Sequence, residues 1–521
     1  MIPKPTTEFL VGAVLGLGVL LSVCAVIGLI ARRRAVSYEE YLVGRRDIHP
    51  FVTGCAIAST YLSGWSLLGT MGVTYAVGWS GMWFSGMWTH FGIIPTLLIA
   101  ARKLSDFSTR NNTKTLAEIV QLRYDSKVVS SMAAVAMALL LFGYSVGQLK
   151  AAGTMWYAIT GLSPFWCLLI ALAVVLIYIM VGGYTGTQWA LAFQGIVFFV
   201  TCSTFFIVAL SYVGGPSGME AKLAAQDPNL LRVIRPDLPK VGTSQLFSSW
   251  VGITSTFVLF FAMSTGFPHN VSRFLGMQPI KKKADFIWLV IPVFFIAGSV
   301  ILDNVVGIVA RAVFGPELLK IAPWKGDLAA PFLAMVSGGV PLTTLYTAGV
   351  FAATLGTFSA MIMIISSNIS HDIIGAWWPK IQKSTLLFLN RLLLIPAALV
   401  PFFWTLYSPP PLLGLLLGQA AAGLGGIFLP VITLGLWWRR ATKVGAAACI
   451  IYGISATIIC SMMIGKNLIG MGTAIWLIIV GSFICYIVGS LLSKPLPEEK
   501  LDKLLGNATK SSAGSSATLT M

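Results

Sequence analysis

Residues 59–70 read STYLSGWSLLGT and residues 264–270 read STGFPHN, each inside a stretch otherwise apolar enough to cross a membrane. Glycine and serine weaken a helix, and Pro268 brings no backbone donor. In lipid every freed N–H and C=O needs a partner, so irregular backbone at mid-depth belongs where it lines a cavity or binds something. Freed N–H groups at such breaks suit a carboxylate. Two charges inside apolar runs add to the chemistry: Lys150 in FGYSVGQLKAAG and Asp303 in SVILDNVVG. A charge there costs roughly 2.5–3.5 kcal/mol on insertion scales and reads as functional. Lys150 offers a positive charge to a substrate carboxylate or stands in a cation position; the bland reading is snorkelling to the outer interface. Asp303 offers a partner for Lys150, a coupling group or a proton carrier; the bland reading is a wet outer vestibule below Arg311. No nucleophile–base pair or metal cluster has usable spacing, so an enzyme is not expected.

The elements that position these groups are membrane helices. The 521 residues are 56% hydrophobic and only 10% charged, with mean hydropathy +0.84, where a soluble domain carries about 25% charged residues. Continuous apolar runs of roughly 20 residues recur along the chain, which excludes an alternating β-barrel pattern. The net charge of +17 does not point to nucleic acid, because the basic residues lie in short loops between the runs. Seven cysteines lie in or beside apolar segments without a CxxC pair and read as small core residues, with no disulfide or metal framework. The N-terminus lacks the features of a cleaved secretory signal, so its apolar run is expected to remain a helix.

Thirteen spans are expected, at about 8–31, 50–77, 78–101, 128–158, 163–182, 185–213, 244–275, 286–314, 341–373, 385–408, 411–438, 443–466 and 470–492. Lysine and arginine concentrate in the loops that lie inside when the N-terminus is placed outside, as at Arg45, Arg46, Arg102, Lys103, Lys281 to Lys283, Arg439 and Arg440. The N-terminus is therefore expected out and the C-terminus in. Within the inside loop 102–127, TLAEIVQLRY predicts a short amphipathic helix on the membrane surface. The outside loops 214–243 and 315–340 read as lids or caps. The Ser/Thr/Gly-rich tail after Lys494 reads as disordered. Counted from the second span, the interrupted helices are the first and sixth of a ten-helix set, the corresponding positions of two five-helix halves in inverted-repeat transporters.

Several motifs carry a family resemblance, from about residue 35 to 450. Ser63 to Trp65 followed by Leu67 to Gly69 resembles the proline symporters, and ASTYLS (58–63) resembles the pantothenate symporters. TLAEIVQLRYDSK (115–127), GGYTGTQWALAFQG (182–195), GFPHNVSR (266–273) and GLWWRRATKVGA (435–446) follow in order. Together they resemble the sodium/solute symporter family. The resemblance implies an all-α polytopic protein with a LeuT-type five-plus-five inverted-repeat core. Its parts are an N-terminal extra helix and basic loop (1–49), a first repeat (50–213), an outer loop and second repeat (214–438), two C-terminal helices (439–492) and the tail (493–521). It implies sodium-driven uptake of a small organic solute through a multi-pass protein of the plasma (inner) membrane.

By the same resemblance, sodium is held by the backbone carbonyls of Ser59 and Leu62 on core helix one and by Ala353, Gly356 and Thr357 on core helix eight. Neutral oxygens of this kind suit a weakly held hard cation. Gly356 stands where the family has serine, Leu191 where it has an aspartate, and Tyr61 where the proline branch has an aspartate. Substrate-facing candidates are Tyr61, Ser63, Gly64, Trp65, Lys150, Phe260 and Ser264, with Gln419 a weaker addition and Asp303 a coupling candidate. The expected solute is an organic acid, either pantothenate, a monocarboxylate or an amino acid. Its partners are the anionic solute, sodium and the bilayer, with no nucleic acid and no obligate protein partner. The departures keep proton-coupled or uncoupled transport open, and a solute sensor less so. His269 is expected in a structural hydrogen bond, Arg273 at the inner surface, and His90 as a packed polar residue or a ligand.

Overall fold

The computed structural model describes residues 3–32, 38–84, 86–179, 184–322, 324–408 and 413–506. Among these residues every regular element is helical. Nine helices are long and apolar enough to span a bilayer. Two bent pairs, Pro50–Tyr61 with Trp65–Phe84 and Trp250–Gly266 with Pro268–Gly276, pass the same test. The expected spans at 78–101 and 163–182 fall short of it. Gly78 turns the chain at φ 72°, the 3-10 turns Gly78–Phe84 and Gly86–Trp88 follow, and a regular helix begins only at Thr89. The other is a shorter apolar helix over Pro164–Leu176.

The centre of the bundle is the helix Ala329–Ser367, which packs against Thr7–Arg32, Lys127–Thr160 and Tyr184–Tyr212. This helix is interrupted at Gly339, where φ 58° and ψ −148° demand a residue without Cβ. The arm before Gly339 is thus a separate piece. Together with residues 315–322 and 324–328 it forms a hairpin between Phe314 and Gly339, and its residues from Ala329 to Met335 are buried. The segment read as a polar outer cap is therefore largely inside the protein.

The helix Leu116–Tyr124 also departs from its expected surface position. Its N-cap Thr115 accepts from Glu118 N–H, and Leu116, Ala117, Ile119, Val120, Arg123 and Tyr124 are all buried. Arg123 explains why: its guanidinium donates to the carbonyls of Gly435 at 2.5 Å, Trp438 at 2.8 Å, Ala441 at 3.3 Å and Arg439 at 3.4 Å. A second clamp joins this region to the end of the central helix. His371 meets Glu118 at 2.7 Å and Thr115 donates to Asp372 at 2.5 Å. Burial would raise the Glu118 carboxyl, but the hydrogen bond and charge of His371 outweigh it and hold it below its ordinary range. The amphipathic helix is instead Arg102–Asn111.

The tail expected to be disordered contains the helix Glu498–Leu505. Arg439 binds Glu498 and, at 2.7 Å, Asp502, while Lys500 binds Asp125 at 2.7 Å. Residues 507–521 lie outside the described residues.

Arg123→Ala leaves four buried carbonyls without their shared cation. It should destabilise the folded protein by about 2–4 kcal/mol, read as a lower thermal midpoint in detergent with membrane insertion retained. Arg123→Lys should recover little of it, since one ammonium cannot span the same set of carbonyls.

Candidate functional site

The first broken helix ends at Tyr61. Leu62 is extended, with φ −79° and ψ 128°, although its N–H still reaches the Ala58 carbonyl at 2.9 Å. The chain resumes as a π turn over Trp65–Thr70, and the two halves are bent by 45°. Neighbouring side chains bind the freed groups. Gln148 Oε1 accepts from Gly64 N–H at 2.9 Å, and Ser63 Oγ accepts from Trp65 N–H at 3.1 Å. Gly64 is required here because any Cβ would collide with that of Ala151.

The second broken helix repeats the solution. Phe267 is extended, Pro268 restarts the helix, and the bend is 43°. Thr433 donates to the Thr265 carbonyl at 3.1 Å, and the Thr265 and Thr96 hydroxyls meet at 2.9 Å.

Thr357 faces the first break from the central helix. Its hydroxyl lies 3.2 Å from the Leu62 carbonyl, 2.9 Å from that of Ala353 and 3.4 Å from that of Thr60. Four neutral oxygens thus converge where one helix is broken, and a hydroxyl can rotate its proton away to leave all four facing a hard cation. Of the residues assigned to the ion by resemblance, Leu62, Ala353 and Thr357 come together, and Thr60 joins them. Ser59 is buried beside Gly195 and Thr357 makes no hydrogen bond to it. Gly356 is explained by its surroundings: a Cβ there would collide with Leu191 Cδ2 and lie 2.6 Å from Gln194 Oε1. The two departures from the family pattern, Gly356 and Leu191, are therefore neighbours that fill one another's space.

Between the breaks lies a buried aromatic cluster. The Trp65 ring is 5.7 Å from Phe260, 5.4 Å from Phe84 and 6.2 Å from Tyr144. Tyr144 continues to Phe267 at 5.3 Å and His269 at 5.8 Å. Tyr61 lies beside Ser264, whose own proton goes to the Phe260 carbonyl at 2.7 Å. Among the described residues, the Trp65 indole nitrogen, Gln148 Nε2 and both ring nitrogens of His269 are buried with no hydrogen-bond partner, so each has capacity for a ligand. His269 thus corrects its expected structural hydrogen bond; its ring packs on Phe267 at 4.8 Å instead. Arg273 is likewise 4% exposed and not at the surface. It lines an inner pocket with Lys114, Tyr184, Asn368 and Asn390. His90 is a packed polar residue, its ring 4.6 Å from Phe294 and its Nε2 3.1 Å from that residue's carbonyl. Gln419 lies on the helix Leu413–Phe428, which packs against the Trp65–Thr70 turn.

The Lys150–Asp303 pairing, one of the alternatives open from sequence, does not form. Lys150 Nζ binds Asp327 Oδ2 at 2.6 Å, with both side chains fully buried. Lys150 is thus no snorkelling residue. Asp303 is buried against Cys202 and near Tyr346, not in a wet vestibule. Asp327 has no local mark in the sequence: it sits in a polar loop with Glu317, Lys320 and Lys325. The apolar run that follows it, AAPFLAMV, was the available sign that the loop turns inward. Tyr144, Gln148 and Gln194 carry no distinguishing pattern in an apolar helix, and only packing brings them to the breaks.

A helical membrane bundle with two broken helices, an oxygen cluster at one break and an aromatic cluster between them is a secondary transporter of an ion and a small solute. The chain belongs to the sodium:solute symporter family, whose model matches residues 41–453. It is a multi-pass membrane transporter and not an enzyme, and sodium is its co-transported ion. It is 24% identical over 496 residues to the osmoregulated proline transporter OpuE of Bacillus subtilis (strain 168), covering 92% of this chain and 94% of that protein. It is 26% identical over 454 residues to the high-affinity proline transporter PutP of the same organism, covering 83% and 89%. Among solved structures it resembles a sodium-coupled sialic acid symporter in a substrate-bound outward-open state, with TM-score 0.73, 17% identity and coverage of 93% and 98%. It also resembles the nucleobase-cation-symport-1 transporter MHP1, with TM-score 0.53, 12% identity and coverage of 89% and 97%. These two likenesses establish the LeuT-type architecture.

Thr357→Ala removes the one side-chain oxygen of the cluster and should weaken sodium activation of transport about ten-fold or more, with the protein still inserted. Unchanged sodium activation would exclude the cluster as the ion site. Gly356→Ser should be destabilising by about 1–3 kcal/mol through overpacking, and Leu191→Ala in the same chain should relieve it, both read from the thermal midpoint.

Proposed function

We propose that the protein takes up a small zwitterionic amino acid with a compact apolar body, proline being the first candidate, in symport with sodium by alternating access. The observation that carries this reading is the aromatic cluster beside the Thr357 oxygens. Trp65, Phe260 and Phe267 give an apolar solute body its walls. The cation at the Leu62 break gives a carboxylate its counter-charge, and the unpartnered Trp65 indole N–H and Gln148 amide N–H offer it donors. Lys150 is engaged by Asp327, so the aromatic cluster itself has no net charge to offer. One sodium ion balances the single carboxylate of any of these solutes, proline included. Two similar proteins are named as proline transporters, which supports the choice of proline.

The residues contacting solute are Tyr61, Ser63, Gly64, Trp65, Phe260 and Ser264, extended by Tyr144, Gln148 and His269. The ion is held by Leu62, Ala353 and Thr357 with Thr60, and Ser59 and Gly356 only shape the site. The thirteen-span count, the N-terminus outside with the C-terminus inside, and the plasma-membrane location complete the proposal; the distribution of lysine and arginine supports the orientation.

The test is uptake into liposomes of labelled proline, pantothenate and a short monocarboxylate. Each is offered an inward sodium gradient, an inward proton gradient, or neither. Proline should accumulate with sodium alone. Accumulation of pantothenate or the monocarboxylate in its place would overturn the zwitterion reading, and accumulation under the proton gradient alone would make Asp303 the coupling group.

A further inference from the structure

Lys150 lies on the helix Lys127–Thr160, roughly 15 Å below its last residue at 1.5 Å per residue, and is 0% exposed. Its partner Asp327 is not on a spanning helix. It sits in the hairpin between Phe314 and Gly339, which reaches inward to meet Lys150. Three contacts hold the hairpin down. The Tyr75 hydroxyl donates to the Gly315 carbonyl and accepts from Leu318 N–H at 3.1 Å. Trp324 packs on Tyr157 with ring centroids 5.4 Å apart. Gly72 lies so close that a Cβ there would be 2.7 Å from Asp327 Oδ1. The ion pair therefore joins the hairpin, the half of the first broken helix beyond the break, and the helix whose Gln148 binds the break itself.

We infer that Lys150 is an entry site for the solute's carboxylate, kept shut by Asp327 of the hairpin, and that the incoming solute exchanges for the Asp327 carboxylate as the hairpin lifts. The inference rests on the reading of the solute as a carboxylate-bearing molecule. Its physical basis is that a buried ion pair is tolerable while dry and paired, and its members are tolerable when separately hydrated or re-paired, but a half-open state with one bare buried charge is not. The pair thus favours two discrete states, shut and open, over intermediates. An ammonium that already binds a carboxylate at 2.6 Å has the chemistry to bind another one. It stands two residues from Gln148 on the same helix and faces the hairpin through Asp327.

The experiment reads the latch and the entry site separately. A cysteine is placed at Thr154, one turn from Lys150 on the same helix face and buried, and its reaction with a membrane-impermeant thiol reagent added from outside is followed by mass spectrometry. With the pair intact it should react slowly. Asp327→Asn should speed labelling about ten-fold or more, without any solute present. Lys150→Met with Asp327→Leu, which replaces the pair by packed apolar groups, should return labelling to the slow rate even if Lys150→Met alone fails to fold. Unchanged labelling in Asp327→Asn, or fast labelling in the apolar pair, would overturn the latch.

The second arm uses the Asp327→Asn protein with propionate, propionamide, L-proline and L-prolinamide as probes of labelling protection. Both carboxylates should protect and neither amide should, and the Lys150→Met/Asp327→Leu protein should show no such preference. Equal protection by acids and amides would overturn the entry site. Propionate protecting where L-proline does not would keep the entry site and reject the proline reading, so the two failures are distinguishable.

Discussion

The demand that the rest of the structure answers is the backbone hydrogen bond in a medium without water. A helix that breaks at Leu62 and another that breaks at Phe267 leave donors and acceptors that lipid cannot satisfy. Side chains from surrounding helices take them up: Thr357 and Gln148 at the first break, and Thr433 at the second. The same contacts fix where the helices Lys127–Thr160 and Ala329–Ser367 lie. Fold and site are therefore one set of interactions. The Leu62 and Thr60 carbonyls at the first break are held by a single hydroxyl at 3.2 and 3.4 Å, a partner that a cation can displace at small cost. A stronger donor there would stabilise the break and close the ion site.

Close packing decides which residues these helices can carry. Gly64 lets the break approach Ala151, and Gly356 leaves room for Leu191 and Gln194. Seen alone, glycine at 356 and leucine at 191 are two losses of sodium-coordinating chemistry. Seen together they are one packing solution, in which an apolar side chain from the helix Tyr184–Tyr212 occupies the space of a missing one on the central helix. The oxygens that converge beside Leu191 and Gly356 are carbonyls and the Thr357 hydroxyl, without a carboxylate among them.

Charge is arranged on the same economy of space. Lys150 and Asp327 neutralise each other outside the aromatic cluster, leaving its polar groups uncharged. Asp303 is kept away from both, against Cys202.

The sequence by itself determined the class of the protein, because hydrophobic length and helix-breaking residues are local properties. Apolar runs of bilayer length required membrane helices, and STYLSGWSLLGT and STGFPHN marked the two breaks. What only the tertiary structure decided was every relation between residues distant in the chain. A lysine inside a span announces that it needs a carboxylate, but nothing local says whether that is Asp303 or Asp327; the inward turn of the hairpin settles it. Gly356 and Leu191 are independent in sequence and coupled only by contact. The helix Leu116–Tyr124 has the pattern of a surface helix and is pulled inside by the carbonyls around Arg123, and Glu498–Leu505 is ordered by Arg439 and Asp125. Such outcomes depend on which partners long-range packing delivers, and a hydrogen bond or ion pair has no signature in sequence until both of its ends are placed.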